Sequence, residues 1–397
     1  MLCYIAYPTS LSLQSANALQ TYATVQALRQ HAPDTLVLIA RWNREPSRFA
    51  DVGAVHLPRP AIGRLSRLHR SSLWYYLEYS AFAWMCVPWL LKQPVDAIYV
   101  RQNIVAAWWS GLFGPLLGIP VIYEAHDLEA HNPSRAKEPW AQGLVHLIDR
   151  IALTRASAVV SLTDDFRQYL ARLGWRRPAE VFVIPDGYDA TLFAPQDRLA
   201  CRQALNLSPD ARLVVYAGLT FAHRWLEGLL AATAALLPQI DRLQLVLVGG
   251  RPAEMANLQQ QIKQHGLERH VLLTGPCPQE NVVRYLAAAD VCVIPDTLTD
   301  MTASPLKLFE YLAMGVPIVL PDLPSLREIV PETLVQFFPR RSTAGLTNAL
   351  QAAISEPDQE ERYRARQTVA AAYTYDRRAA RVLDVVARVK HPSSMHG

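Results

Sequence analysis

No two cysteines of this 397-residue chain stand as a CxxC pair. Its five cysteines, Cys3, Cys86, Cys201, Cys277 and Cys292, are scattered, which speaks against a disulfide framework or a zinc site and for buried free thiols in a reducing compartment. Charge is scarce too: 19% of residues are charged and 51% hydrophobic, a balance that excludes a disordered chain and suits large buried sheets. The formal net charge of +4 is too small to argue for nucleic acid. The opening MLCYIAYPTS lacks the charged segment of a signal peptide and enters a strand pattern at once, so we expect a cytoplasmic protein without a leader. Two apolar stretches, 73–91 and 104–123, have the length of a membrane span. Glu78 and Pro88 interrupt the first, and Gly114, Pro115 and Gly118 the second, so both read as buried or interfacial helices.

What the chain does have is a run of β-branched apolar segments alternating with helical ones. CYIAY, TLVLIA, DAIYV, PVIYEA, SAVVSL and VFVIP read as strands of a first half, and LVVYAG, LQLVLVGG, HVLLTG, VCVIPD and PIVLPD as strands of a second. Their hydrophobicity is continuous rather than alternating, which implies strands covered on both faces, hence parallel sheets with helices on each side. A polar, Pro- and Gly-bearing joint at 185–197 separates the sets. The length fits two domains of roughly 150–200 residues. The expected fold is α/β, with two doubly wound Rossmann-like domains facing a cleft and ligands at the C-terminal ends of the strands.

One loop region poses a question. SPLKLFEYLAMGVPIVL (304–320) predicts a helix over 304–314, with Ser304 as N-cap, Pro305 as first helical residue, and Gly315 and Pro317 as the stop. Lys307 then lies in the first turn, where the helix dipole disfavours a cation. Either an anion binds there, with Glu310 one turn on reaching neutral hydroxyls, or Lys307 and Glu310 pair at i,i+3 on a surface helix. Earlier in the same half, YAGLTFAHRWLEGLL (216–230) is a strand, a glycine turn and a helix start, with Arg224 near the turn as an anion contact or an ordinary surface arginine. In the first half, Glu124, His126 and Asp127 follow a strand directly. His126, Asp127, Glu129 and His131 match no established metal spacing, so His126 is better read as a polar catalytic contact.

Together these segments carry a resemblance. SPLKLFEYLAMGVPIV, AGLTFAHR, LVLVGG, LTGPCPQENVVRYLAAADVCVIP, VIPDGYDATLF and DAIYVRQN…GIPVIYEAHDL resemble, in order and spacing, the retaining glycosyltransferases of family 4 with the GT-B fold. The likeness extends to YTYDRRAARVLDVV (373–386), which looks like that family's closing C-terminal helix. It implies an acceptor-side domain over 1–190, completed by a helix at about 375–390, and a nucleotide-sugar-binding domain over 196–374. It also implies roles for single residues. Glu310 matches the second glutamate of the family's E-x7-E motif, which binds ribose. Ser304, Pro305 and Leu306 match the turn whose backbone meets the diphosphate, with Lys307 behind. Arg224 stands where the family usually has a lysine, Gly218 matches the glycine opening the phosphate-side loop, and His126 matches a histidine that contacts the donor sugar. Two positions depart from the pattern: Thr302 replaces the first motif glutamate, and Trp225 replaces a glycine after the loop lysine.

The implied reaction moves a sugar from a nucleoside diphosphate sugar to an acceptor hydroxyl of a polysaccharide, glycolipid or similar molecule, with the anomeric configuration retained. Neither metal nor cofactor is expected, because Arg224, Lys307 and a helix N-terminus would carry the growing phosphate charge. Two alternatives stay open: a GT-B sugar-nucleotide epimerase, which would need further acid–base carboxylates, and a non-catalytic sugar-nucleotide-binding subunit, raised by Thr302. No acidic residue occurs between Asp51 and Glu78, whereas Arg59, Arg64, Arg67 and Arg70 lead into aromatics. That stretch reads as a solvated basic loop or as a surface for anionic lipid or polysaccharide, which would place the protein peripherally at the inner face of the plasma membrane.

Overall fold

The computed structural model describes residues 1–8, 11, 13, 16–41, 47–58, 72–131, 139–297, 299–356 and 358–390. The arginine-bearing stretch at 59–70 lies outside them. The chain divides into two compact units, residues 1–185 with 375–397, and residues 186–374.

In the first unit, seven parallel strands form one sheet: β1 (Leu2–Ala6), β2 (Leu36–Arg41), β3 (Val55–Pro58), β4 (Ala97–Val100), β5 (Val121–Ala125), β6 (Ala158–Ser161) and β7 (Val181–Val183), in the order β3-β2-β1-β4-β5-β6-β7. β1, β4, β5 and β6 are buried throughout, as continuous apolar runs demand. The strand order reverses between β1 and β4, the position where doubly wound sheets take ligands. The stretch 73–91 becomes the helix Ser72–Leu90, with Pro88 inside its last turn. The stretch 104–123 breaks into a helix Asn103–Trp108, a π-helical turn Trp109–Phe113, a short helix Gly114–Leu117 and then β5. Among the described residues no helix is long and apolar enough to cross a membrane.

The second unit holds six parallel strands: β8 (Arg212–Ala217), β9 (Leu243–Val248), β10 (Val271–Gly275), β11 (Val291–Val293), β12 (Ile318–Pro321) and β13 (Gln336–Phe338). Their order is β10-β9-β8-β11-β12-β13, so the reversal falls between β8 and β11. The chain enters and leaves this unit at one place, where Tyr188 bridges Thr374 and its N–H donates to the Tyr373 carbonyl at 3.1 Å. Eleven strands were expected and all eleven are present; β3 and β13 are additional, and both lie at a sheet edge. An edge strand is covered less completely, and neither VHLP nor QFF is fully buried, so neither carries a long apolar run.

The helix Tyr375–Lys390 packs on the first unit. It is strongly amphipathic, burying Tyr375, Ala379, Val382, Val385 and Val386 in the same core as Tyr4, Val25 and Tyr99. Arg378, itself buried, fixes it: its Nη1 donates to the carbonyls of Ile184 (3.0 Å) and Pro185 (3.1 Å), and its Nη2 lies 2.7 Å from the Glu124 carboxylate. Removing one partner of such a buried pair leaves the other charge short of compensation, at a cost of about 3–5 kcal/mol. Arg378→Met should therefore lower the unfolding free energy of the first unit by about that amount in urea titration. A loss under about 1 kcal/mol would mean the helix is held by its apolar face alone.

Candidate functional site

The C-terminal end of β8 turns at Gly218, whose φ of +143° lies in a region side-chain-bearing residues rarely adopt. Its place also demands glycine, because a Cβ there would lie 2.7 Å from the Lys307 amine. Gly249, just past β9 with φ +100°, is constrained likewise: a Cβ there would lie 2.7 Å from the Gly218 carbonyl oxygen. The Tyr216 hydroxyl donates to the Leu219 carbonyl at 2.5 Å and closes the turn. Over the Tyr216 ring, 4.1 Å from its centroid, sits the ammonium of Lys307.

Lys307 is carried by the helix Leu306–Met314, which anchors itself by burying Leu308, Phe309, Tyr311 and Leu312 and by the Tyr311 hydroxyl accepting the Ala217 N–H at 2.9 Å. Gly315, at φ +73°, ends it as expected. Its start differs from the expectation. Pro305 occupies the N-cap and Leu306 the first helical position, because the Ser304 hydroxyl is engaged elsewhere, accepting the Asp186 N–H at 3.0 Å.

Lys307 is only 9% exposed, and among the described residues its amine has no hydrogen bond or ion pair. The i,i+3 surface pair with Glu310 does not form. Burial first, and the neighbouring Arg224 charge second, hold the amine well below its ordinary pKa, while Glu310 offsets this weakly. Arg224 lies in the turn Ala222–Arg224; its Nε is buried and makes no hydrogen bond among the described residues. His223 beside it is pushed down by burial and then by Arg224. Glu310 is half-buried, and desolvation raises its carboxyl to about 7, against the opposing pull of Lys307. This end of the second sheet therefore carries two basic side chains that make no carboxylate ion pair among the described residues, and the N–H groups of the first turn of helix Leu306–Met314 add donors. The carboxylate Asp296 is committed elsewhere, to Arg340 (2.6 Å) and Arg341 (2.8 Å). Thr302 is buried and its hydroxyl pairs with that of Thr299 at 2.6 Å.

Trp225 explains how a large residue replaces a glycine. Its backbone keeps a left-handed conformation, φ +53°, and its ring lies buried against Gly228, where a Cβ would come within 2.2 Å of it. The strain of holding a bulky residue there, of order 1–3 kcal/mol, is offset by that burial.

Of the sequence-derived site residues, Gly218, Arg224, Ser304, Pro305, Leu306, Lys307 and Glu310 fall in this unit, and His126 in the other. There, Glu124 at the end of β5 is fully buried among two arginines, a tyrosine and the histidine. Its carboxylate lies 3.1 Å from Arg101 Nε, 2.7 Å from Arg378 Nη2 and 2.6 Å from His126 Nε2, and it accepts the Tyr99 hydroxyl. Burial alone would raise this carboxyl; Arg378 and Arg101 outweigh it and hold the pKa well below the usual range. His126 Nε2 thus lies between the Glu124 carboxylate at 2.6 Å and Arg101 Nη2 at 2.9 Å, which fixes the ring's position. Arg101 Nη2 also donates to the Gln20 side-chain carbonyl. Among the described residues, no three His, Cys, Asp or Glu side chains are grouped to hold a metal ion. Sequence reasoning missed Arg101, Arg378 and Tyr216; the only signal for them was position, at or just past a strand end or on the closing helix.

Residues 17–187 match the family described as glycosyl transferase 4-like domain, and residues 211–356 that described as glycosyl transferases group 1. A D-inositol 3-phosphate glycosyltransferase of Jonesia denitrificans is 27% identical over 313 residues, which cover 73% of this chain and 72% of that protein. One from Mycolicibacterium gilvum is 30% identical over 223 residues, covering 53% of this chain and 49% of that protein. Among solved structures, sucrose-phosphate synthase from Thermosynechococcus elongatus aligns over 98% of both chains with a TM-score of 0.77 and 20% identity. Anabaena HepE in complex with UDP aligns over 97% of this chain and 99% of that chain, with a TM-score of 0.72 and 16% identity.

The raised Glu310 carboxyl gives a pH test. Between its ordinary 4.5 and about 7 the folded protein binds more protons than the unfolded, so the stability this group contributes is complete below about 4.5 and lost as pH rises through 7. Glu310→Gln, which does not titrate, should be more stable than wild type in urea unfolding at pH 8, by on the order of 1 kcal/mol, and should lose that advantage at pH 5. An equal difference at both pH values would contradict the raised carboxyl.

Proposed function

Since this chain belongs to the family 4 glycosyltransferases with the GT-B fold, we propose that it moves a sugar from a nucleoside diphosphate sugar to an acceptor hydroxyl with retention of configuration. The observation that carries this reading is the pair Lys307 and Arg224: two basic side chains without carboxylate partners among the described residues, at the reversal point of a parallel sheet, beside a helix N-terminus. The diphosphate supplies the missing counter-charge. The backbone of Ser304, Pro305 and Leu306 and the turn at Gly218 line the same anion, and Glu310 accepts from the ribose hydroxyls. That HepE was crystallised with UDP, and that relatives are described as acting on inositol 3-phosphate, supports a nucleotide donor and a hydroxyl acceptor. A saccharide or a lipid-linked saccharide is the acceptor class we assign.

In the reaction the bond between the anomeric carbon and the diphosphate breaks, the acceptor oxygen bonds to that carbon on the same face, and the acceptor proton passes to the departing phosphate. Negative charge grows on the diphosphate along this path. Arg224, and Lys307 as the anion raises its proton affinity, meet it with positive charge in a poorly solvated site, where loss of one such group costs about 10²–10³ in rate. That charge does the work a divalent cation would otherwise do. For His126 the role is contact with the transferred sugar, by a ring that Glu124 and Arg101 hold in place.

Contacts that strengthen in the transition state lower kcat when lost, and uniform ones mainly raise KM. Lys307→Met should therefore reduce kcat by about 10²–10³ with weaker nucleotide binding. Glu310→Gln should chiefly weaken donor and nucleoside diphosphate binding, by about 1.5–3 kcal/mol in calorimetry. Excess chelator should leave transfer unchanged. If both variants bind nucleoside diphosphates as wild type does, the site is wrong; a strict Mn²⁺ or Mg²⁺ requirement would contradict the metal-free part.

A further inference from the structure

Of the large hydrophobic side chains left exposed, eight fall between Leu77 and Leu147, all in the first unit. Helix Ser72–Leu90 explains part of this. Its inward face, Tyr79, Phe82, Cys86 and Leu90, packs on the sheet. Seven-residue spacing sets Leu77, Trp84 and Leu91 on one opposite stripe, where Trp84 is 52% and Leu91 65% exposed. A surface helix should be polar on that side. This one carries a single charged residue, Glu78, which is buried and accepts the Tyr7 hydroxyl.

The apolar stripe continues onto its neighbours. Trp84 packs edge-on against Phe113 at 4.8 Å and Trp108 at 5.6 Å. Trp108 lines an open groove of about 620 Å³ with Leu112, Leu144, Leu147, Ile151 and Arg155. The Trp108 indole N–H is satisfied by Ser80 at 2.8 Å. Leu147, on helix Gln142–Arg155, is 52% exposed. The exposed charged or titratable residues of that helix are His146, Arg150 and Arg155; its one acid, Asp149, is buried and accepts from Asn103 and from the Ala130 N–H. Residues 103–117 contain no charge, and the chain leading to this face has no acid from Val52 to Leu77.

We infer that this face docks on the surface of an anionic phospholipid bilayer. Trp and Leu side chains enter the headgroup boundary, and Arg150 and Arg155 meet lipid phosphates. The charge pattern selects lipid over a second copy of the chain: a two-fold interface on this face would set His146, Arg150 and Arg155 against their own kind. With no helix that can cross the membrane among the described residues, the contact is one of lying on the surface. The inference is independent of the transferase reading, and its test uses neither donor nor acceptor.

The test is cosedimentation of the full chain with vesicles of phosphatidylcholine alone or with phosphatidylglycerol, in low and high salt. Wild type should bind the anionic vesicles, release as salt rises, and shift its tryptophan emission to the blue. Trp84→Ser with Leu147→Ser should weaken the partition at least about tenfold while the protein stays folded by circular dichroism, since about half of each side chain is exposed. Arg150→Glu with Arg155→Glu should abolish the preference for anionic lipid. Lack of binding by wild type, or binding unchanged in both variants, overturns the proposal. So does a dimer in light scattering that the serine variant dissociates without any vesicle binding, which would give the face to a second copy.

Discussion

The second unit is organised around the buried Lys307 amine, which makes no ion pair among the described residues. Moving its ammonium form out of water costs several kcal/mol even after relaxation. At Lys307 the compensation is the face of the Tyr216 ring, worth roughly 1–2 kcal/mol when desolvated, and a weak pull from Glu310. The fold maintains this by over-determining everything around the amine. Helix Leu306–Met314 is pinned by four buried apolar residues, and Tyr311 ties it to the end of β8. Gly218 leaves the space that the amine fills. A basic group held so firmly and compensated so poorly is prepared for an anion, and Arg224 beside it has a buried Nε that makes no hydrogen bond among the described residues.

The first unit solves the opposite problem to completion. Glu124 is more deeply buried than Lys307, yet two arginines, a tyrosine and a histidine satisfy it. One of those arginines arrives on the closing helix, so the ion cluster that orients His126 also depends on the chain returning to this unit. Complete satisfaction gives a rigid, structural carboxylate; incomplete satisfaction on Lys307 gives a binding group. The contrast, rather than burial itself, separates scaffold from site.

Much of this was legible in the residues. Central strands are covered on both faces and announce themselves as unbroken apolar runs, so β1, β8 and β9 were readable without ambiguity. Edge strands β3 and β13 were not, because partial exposure lets His56 and Gln336 into the pattern. The helix end at Gly315 was readable from local chemistry. Its beginning was not, since the partner that draws Ser304 away from capping, Asp186, is 118 residues distant. For the same reason the sequence left Lys307 undecided between a surface pair and an anion contact: only the approach of β8 buries it. Trp225 shows the limit from the other side, a substitution that looked disruptive and is accommodated by stowing the ring against Gly228.

The central claim is that the Lys307 amine is desolvated and waiting for phosphate. The chain has only five lysines, Lys92, Lys137, Lys263, Lys307 and Lys390, so the Lys307 resonance can be assigned by difference against a Lys307→Met variant in side-chain-labelled protein. Following its titration by NMR, the account predicts a pKa well below the ordinary 10.5 in the free protein and a clear rise on saturation with a nucleoside diphosphate. An ordinary value in the free protein, or one that the nucleotide leaves unmoved, would contradict it.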